Sequence, residues 1–138
     1  MTSRTLNNVG LQAFFALGED GWNTAIDNNF LKLTTLVQGG VLGIVNSHPA
    51  AVTGDTYILS STAQTNPNTI AVYDSGQWTH YTPLKGWAMY NRGTDSYVVF
   101  DGTLWQTLPL ATLISLANRT IGQTDSGSIL IKSVGDAT

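Results

Sequence analysis

The chain has 138 residues, enough for one domain with an extension, and 42% of them are hydrophobic, so a proper core can form. Only 11% are charged, the formal net charge is −3, and the six cations are scattered, which argues against nucleic acid as the main partner. The absence of cysteine excludes a disulfide framework, a thiolate nucleophile and a cysteine metal site. No hydrophobic run is long enough to predict a signal peptide or a membrane span.

The N-terminal residues, 1–19, mix apolar and polar side chains without clear periodicity, which predicts an extended arm. The apolar side chains of such an arm would be costly to leave in water. We therefore expect a partner surface to cover this segment.

The sequence predicts one helix, from about Asp20 to Gln38. Asp20 is a plausible N-cap, and Gly39-Gly40 is expected to end the helix because glycine takes the left-handed conformation that a helix terminus favours. Apolar residues at helical spacing form one face of this helix: Trp22, Ile26, Phe30 and Leu33, continued by Val37. We expect the face formed by the first four to be an assembly interface, either between chains or against a partner protein.

After the helix, the pattern changes to short β-type runs separated by turn residues. Seven such runs follow one another without helical spacers, which argues against a parallel sheet and predicts an antiparallel meander, either a small barrel or a sandwich. The fold class is therefore mainly β, with an N-terminal arm and one amphipathic helix. The predicted strands are Val41–Val45, Asp55–Ser60, Thr69–Asp74, Gln77–Thr82, Gly86–Asn91, Tyr97–Asp101 and Leu104–Leu108.

One motif in this region occurs twice. Val72-Tyr73-Asp74-Ser75-Gly76-Gln77-Trp78 returns 27 positions later as Val99-Phe100-Asp101-Gly102-Thr103-Leu104-Trp105, with the glycine displaced by one position. Each copy predicts two short strands joined by a tight turn, with an aromatic residue on each side. Aspartate and glycine are the ordinary residues of such turns, so four residues are predicted to be structural: Asp74, Gly76, Asp101 and Gly102.

Asp74 and Asp101 are also the obvious pair if the chain were a glycosidase, which needs two carboxylates. The turn role is favoured, because an aspartate in a hairpin turn accepts hydrogen bonds from local backbone amides. The sequence contains no glycine-rich phosphate loop, nucleophile elbow or metalloprotease motif. We therefore predict no catalytic residue and no cofactor site, and we expect the protein not to be an enzyme.

The two histidines, His48 and His80, lie among apolar and hydroxyl neighbours. Neither has a second histidine or a carboxylate at the spacing of metal ligands. The sequence therefore predicts hydrogen-bonded or exposed histidines, and no metal site.

Aromatic residues crowd into fewer than 30 positions of the β-region, between Trp78 and Trp105. Such rings are most often buried in a core, but exposed rings can stack on sugar faces or contact a protein partner. The candidates for a glycan or partner contact are Trp78, Trp87, Tyr90 and Trp105.

Beyond Pro109 the sequence changes again, and it predicts a short helix over Leu110–Arg119 and a lone strand at Ser128–Ile131. A lone strand has unpaired edges, so pairing with another chain is one expectation for it. The domain organisation is thus an arm and anchor helix in 1–40, an antiparallel β-domain in 41–109, and an extension or assembly segment in 110–138.

Two segments, which together cover roughly residues 20–106, resemble phage tail proteins. Gly21-Trp22-Asn23 through Phe30-Leu31-Lys32-Leu33 resembles a helix near the N-terminus of many bacteriophage tail fibre and baseplate proteins. The ordered β motifs are similar to an uncharacterised domain of phage and prophage tail proteins: Gly54-Asp55-Thr56-Tyr57-Ile58, Ile70–Asp74, Gln77-Trp78, Thr82-Pro83, Gly86-Trp87 and Tyr97–Trp105. The resemblance implies a tail-associated virion protein that is usually oligomeric and often trimeric, and it supplies no catalytic residues.

The resulting hypothesis is a structural virion protein of a phage tail, either a tail fibre or an adaptor between fibre and baseplate. Its expected partners are other tail or baseplate proteins and further copies of itself, with a trimer favoured, and neither nucleic acid nor insertion into a membrane is expected. Assembly would take place in the host cytoplasm. The alternative hypothesis is a carbohydrate-binding module that recognises a host surface glycan through exposed aromatic rings. A neutral surface of Thr, Ser, Asn, Gln and Gly is compatible with both hypotheses.

Overall fold

Eight of the ten strands in residues 3–108, the part of the chain that the computed structural model describes, form two four-stranded sheets. The first sheet has the order β4-β5-β6-β7, and the second sheet has the order β10-β9-β8-β3. A mainly β fold with one helix is confirmed, as a sandwich of two sheets and not a closed barrel. The elements are β1 (Arg4–Thr5), β2 (Gln12–Ala13), α1 (Trp22–Leu36), β3 (Gly40–Val41), β4 (Ile44–Val45), β5 (Thr56–Leu59), β6 (Ile70–Asp74), β7 (Gln77–Tyr81), β8 (Ala88–Asn91), β9 (Ser96–Phe100) and β10 (Trp105–Thr107).

The N-terminal segment is a hairpin, and the prediction of an extended arm is wrong. β1 pairs with β2 in antiparallel fashion, and the hairpin rests on helix α1. Asn29 of the helix donates to the backbone carbonyl of Gln12 at 2.7 Å and accepts from its amide at 2.8 Å. Lys32 donates to the carbonyl of Gly10 at 3.2 Å. Polar side chains of the helix therefore hold the hairpin in place. The weak apolar pattern of the N-terminal segment did not indicate this contact.

Helix α1 begins two residues later than predicted, and Asp20 is not its N-cap. Gly21 occupies the N-cap position in the left-handed conformation, with φ of 80°, and no side chain caps it. The residue before Asp20 makes the local contacts instead, since the Glu19 carboxylate accepts from the Ser3 hydroxyl at 2.7 Å and from the Ala16 amide at 2.8 Å.

The glycine pair after the helix acts through its small size. Val37 is already extended, and Gln38 takes the positive φ of 50°. A Cβ atom on Gly39 would lie 2.6 Å from the thioether of Met89 and 2.7 Å from the carbonyl oxygen of Thr35. Gly39 is therefore needed so that the chain can pass close to the core, and the predicted left-handed role belongs to Gln38.

The predicted strand Val41–Val45 is two strands, one in each sheet. β3 pairs in parallel with β8 in the second sheet, and β4 pairs in parallel with β5 in the first. The expectation of purely antiparallel sheets is therefore wrong at these two edges. A five-residue apolar run does not reveal the change of sheet, because each half is only two residues long.

The two sheets repeat one hydrogen-bonding pattern. In the first sheet, the Gly54 amide donates to the Tyr73 carbonyl at 2.8 Å; in the second, the Gly86 amide donates to the Phe100 carbonyl at 2.8 Å. Each sheet consists of one short parallel edge strand followed by a three-stranded antiparallel meander. The doubled sequence motif thus marks one hairpin in each sheet, β6–β7 and β9–β10.

The main core lies between the sheets, and its buried residues come from both: Val41, Ile58, Ile70, Met89 and Val98. A smaller cluster of Leu59, Ala63 and Ala71 covers the other face of the first sheet. Alternation along the strands explains the arrangement, because adjacent strand residues such as Ile58 and Leu59 point to opposite faces. The opposite face of the second sheet remains open to solvent at Ala88 and Tyr97.

Two of the predicted elements, the helix Leu110–Arg119 and the strand Ser128–Ile131, lie outside the described residues, as does the segment 110–138 as a whole. Within residues 3–108, helix α1 is too short and too polar to cross a membrane.

Candidate functional site

The predicted assembly face of helix α1 is largely uncovered in the single chain. Trp22 is 56% exposed and Phe30 is 64% exposed, whereas Ile26 and Leu33 are half-buried. Thr35, near the end that joins the β-domain, is the buried residue of the helix. An amphipathic helix normally buries its apolar stripe against a core, and this one turns part of that stripe to solvent.

Further apolar side chains near the helix are exposed as well. Phe14 is 47% exposed and lies under the guanidinium of Arg4, with 4.3 Å between the guanidinium carbon and the ring centroid. Leu17 is fully exposed, and Val37 at the other end of the helix is 61% exposed. Of the thirteen large apolar side chains that are exposed in the described residues, six lie between Leu6 and Val37, in or beside the N-terminal hairpin and the helix, and could dock on a partner.

The turn of the first motif copy depends on its two central residues. Asp74 pairs with Gln77 at the end of the β6–β7 ladder, which leaves a two-residue loop of Ser75 and Gly76. Both have positive φ, 50° and 84°, the geometry of a type I′ hairpin turn.

Asp101 closes the turn of the second copy with its side chain. One carboxylate oxygen accepts from the amides of Thr103 and Leu104, each at 2.8 Å, and the other accepts from Gln106 at 3.0 Å. These hydrogen bonds, first those of Leu104 and Thr103, lower the pKa of Asp101 below its ordinary value. The neighbouring Gly102 has a φ of 105°. Asp101 is thus held as a turn residue, with its carboxylate occupied by local donors.

The four aromatic residues predicted as a contact surface do not share one surface. Trp78 packs in a cluster with Tyr57, Tyr73 and His48. Trp105 packs against the main core, and Tyr90 lies edge-to-face with Tyr97 on the open face of the second sheet, 5.0 Å between centroids. The indole N–H of Trp87 points to the Asn8 side chain at 3.4 Å.

One groove combines an aromatic ring with neutral polar side chains. It has a volume of about 200 Å³ and lies where the two sheets meet, beside Trp105. Its polar lining comes from Ser60, Ser61, Asn68 and Gln106. Hydroxyl and amide groups around an apolar ring are suited to a neutral ligand with many hydroxyl groups.

The structure brings the two histidines together, which sequence spacing did not indicate. The Nε2 atoms of His48 and His80 are 2.8 Å apart, although the residues are 32 positions apart. His48 also packs on the Trp78 ring, with 4.7 Å between centroids. Burial lowers the pKa of His80, and the nearby His48 lowers it further. A loop residue and a strand residue meet here through tertiary structure, so no periodic signal in the sequence reveals the pair.

Within residues 3–108, no three His, Cys, Asp or Glu side chains are grouped so that they could hold a metal ion together. The predicted structural carboxylates Asp74 and Asp101 belong to the hairpins of different sheets, β6–β7 and β9–β10. Chemically, the described surface offers an apolar helix face, a neutral groove and a histidine pair.

The model of a family described as "Protein of unknown function (DUF2793)" matches residues 26–106. That range begins within helix α1 and ends within β10, so it contains both sheets and both copies of the doubled motif. No curated protein matches the chain.

Proposed function

We propose that this chain, which belongs to the DUF2793 family of proteins of unknown function, is a structural protein of a phage tail, as a tail fibre or as the adaptor between fibre and baseplate. The N-terminal hairpin and helix α1 anchor the protein to a homo-oligomer, with a trimer favoured, and to other tail proteins. The two-sheet domain is displayed outward. The protein assembles into the virion in the host cytoplasm.

The observation that carries this proposal is the uncovered apolar face of helix α1. Phe30 is 64% exposed and Trp22 is 56% exposed, and both lie on the stripe that also includes Ile26. Full burial of a phenylalanine side chain contributes about 1.5–3 kcal/mol, so covering this stripe would favour association. Three such helices can bury one another's stripes in a parallel bundle.

The sequence resemblance supports the same function. The residues of α1 that carry the apolar stripe, Trp22 and Phe30, are those of the helix pattern that resembles tail fibre and baseplate proteins. The β-domain suits display, because short hairpins and neutral polar loops make a rigid surface with little charge.

The test is the mass of the full-length protein in solution, measured by light scattering coupled to size exclusion. The wild type is expected to be an oligomer, and the double variant Trp22→Gln/Phe30→Gln a monomer. The matched control is Thr24→Gln/Asn28→Gln, which changes two exposed residues on the opposite side of the same helix and should leave the mass unchanged. A monomeric wild type, together with the absence of the protein from purified virions by mass spectrometry, would overturn the proposal.

A second candidate function, binding of a host surface glycan, is favoured by the groove beside Trp105. The groove of about 200 Å³ presents uncharged donors and acceptors next to an indole ring. Weak binding, with millimolar to micromolar dissociation constants, is expected after the costs of association.

A glycan array and a titration followed by tryptophan fluorescence test this second function. Gln106→Ala should weaken binding, whereas Gln77→Ala, which changes an exposed glutamine at the distant β6–β7 turn, should not. An array without any signal, or equal binding by both variants, would count against the glycan site.

A further inference from the structure

His48 and His80 form a pair on the face of the first sheet that lies away from the main core. His80 is on β7, opposite Ala71 of β6, and shares its side of the strand with Trp78. His48 lies in the loop between β4 and β5. Both rings are half-buried, and they meet edge-to-face with 5.0 Å between centroids.

The two Nε2 atoms point at one another across 2.8 Å. A neutral imidazole has one nitrogen that donates and one that accepts, so one ring donates its Nε2–H to the lone pair of the other. If the donor ring moves its proton to Nδ1, both Nε2 lone pairs converge on the same point. That is the arrangement by which two imidazoles bind one metal ion.

We propose that His48 and His80 are the protein ligands of a binding site for a divalent transition-metal ion of the Cu²⁺, Ni²⁺ and Zn²⁺ class. Imidazole nitrogen suits these ions, and their affinities for such a site rise from Ni²⁺ to Cu²⁺. Ca²⁺ and Mg²⁺ prefer oxygen ligands and should not compete.

The geometry needs only a small adjustment. With metal–nitrogen distances of about 2.0–2.1 Å and tetrahedral angles, the two nitrogens stand about 3.3 Å apart. The Nε2 atoms would therefore separate by roughly half an ångström from their present contact. His80 is fixed by the β6–β7 ladder, whereas His48 lies outside the strands, so the loop side can make this movement.

The protonation state of the site also suits a metal. A histidine binds a metal in its neutral form, and burial favours the neutral form of His80 by lowering its pKa. Within residues 3–108, no third His, Cys, Asp or Glu joins the pair, so the remaining positions are for water or an exchangeable ligand. The site is accordingly expected to bind reversibly and more weakly than a closed structural zinc site.

Trp78 provides a built-in reporter of this site. Its ring lies 4.7 Å from that of His48, at an interplanar angle of 33°. A Cu²⁺ ion held by His48 would be close enough to quench the fluorescence of this indole. Zn²⁺, which has a filled d shell, should compete for the site without the same quenching.

The experiment is a titration of the full-length protein with Cu²⁺, followed by tryptophan fluorescence and by calorimetry, with Zn²⁺ added as competitor. We expect saturable quenching at one site per chain, reversed by Zn²⁺ and unaffected by Mg²⁺. His48→Gln and His80→Gln should each weaken Cu²⁺ binding more than about tenfold, since loss of even a supporting contact to a ligand costs that much. Trp78→Phe should abolish most of the quenching and keep the heat of binding.

Circular dichroism and a thermal melt would show that each variant is folded, and His48→Gln changes a residue that lies in the loop between β4 and β5, outside the strands. The proposal is overturned if the wild type shows no saturable quenching at millimolar Cu²⁺. Equal Cu²⁺ affinity in the wild type and both folded histidine variants would overturn it too, because binding at the chain terminus or another surface group would then explain the signal.

Discussion

The indole N–H of Trp105 donates a hydrogen bond to the backbone carbonyl of Asn68 at 2.8 Å, and this bond joins the two sheets. Trp105 opens β10 in the second sheet, and Asn68 precedes β6 in the first. The Asn68 side chain makes a second hydrogen bond between the same segments, by donating to the carbonyl of Thr103 at 3.0 Å. The second copy of the doubled motif is therefore hydrogen-bonded to the loop that precedes the first copy.

Trp105→Phe should destabilise the fold by about 1–2 kcal/mol, because it removes the donor and leaves the Asn68 carbonyl without this partner. The free energy of unfolding in urea measures the effect. Trp87→Phe is the matched control: it loses the same ring atoms at the edge of the same core, but its indole bond to Asn8 is long, at 3.4 Å, and exposed. Equal losses in both variants would show that ring size, and not the hydrogen bond, matters.

Gly39→Ala should destabilise the protein by about 1–3 kcal/mol, because the new methyl group would overlap Met89 and the carbonyl oxygen of Thr35. Gly43 holds the equivalent place in the first sheet: Ile58 donates to its carbonyl as Tyr90 donates to that of Gly39. A Cβ on Gly43 meets no atom within 4 Å, so Gly43→Ala should be neutral or stabilising by about 0.4–1 kcal/mol. Thermal melts of both variants test this, and similar losses would contradict the packing explanation.

The parts of the fold that were predictable are those where local chemistry decides the structure. The doubled aspartate–glycine motif predicts hairpins at Asp74 and Asp101, and each is present as a tight turn with positive φ. Alternating apolar residues locate β5 to β10 to within about two residues, because the period of a strand is visible in a half-buried sheet. The 3.6-residue period locates α1 in the same way.

The features that the sequence did not reveal depend on contacts between distant residues. The pair Gly39-Gly40 has the composition of a helix stop. The small size of Gly39 matters, however, because the side chain of Met89, 50 positions later in the chain, packs against it. The division of residues 41–45 between two sheets, and the meeting of His48 with His80, likewise need the completed sandwich. Local propensity contains no information about such pairings.

Ser75→Asn should stabilise the protein by about 0.5 kcal/mol. Ser75 has a φ of 50° in a two-residue type I′ turn, and asparagine before glycine is the preferred sequence there because it tolerates the left-handed conformation. Thr103→Asn is the control, since Thr103 lies in the second turn without a positive φ. A rise in melting temperature for Ser75→Asn alone is the expected result, and a fall would mean that the serine has a contact of its own to lose.

Asp101→Asn should make the protein less stable at neutral pH but not at acid pH. The Asp101 pKa is lowered in the folded state, chiefly by the amides of Leu104 and Thr103, so its carboxylate stabilises the fold above the unfolded-state pKa of about 3.9. That contribution disappears as the pH falls through the lower, folded-state pKa. Melting temperatures of both proteins, measured from neutral pH into acid, should therefore begin to converge below pH of about 4 and meet only below the folded-state pKa.

The comparison isolates one carboxylate, because every other titrating group is common to the two proteins. Asparagine keeps a carbonyl oxygen that can accept from Thr103 and Leu104, so the difference reports the charge and not the loss of the turn. Gln106→Leu, which removes the third donor, should reproduce a part of the neutral-pH loss and none of it in acid. A difference between the wild type and Asp101→Asn that stays constant across this pH range would mean that the carboxylate does not stabilise the turn by its charge.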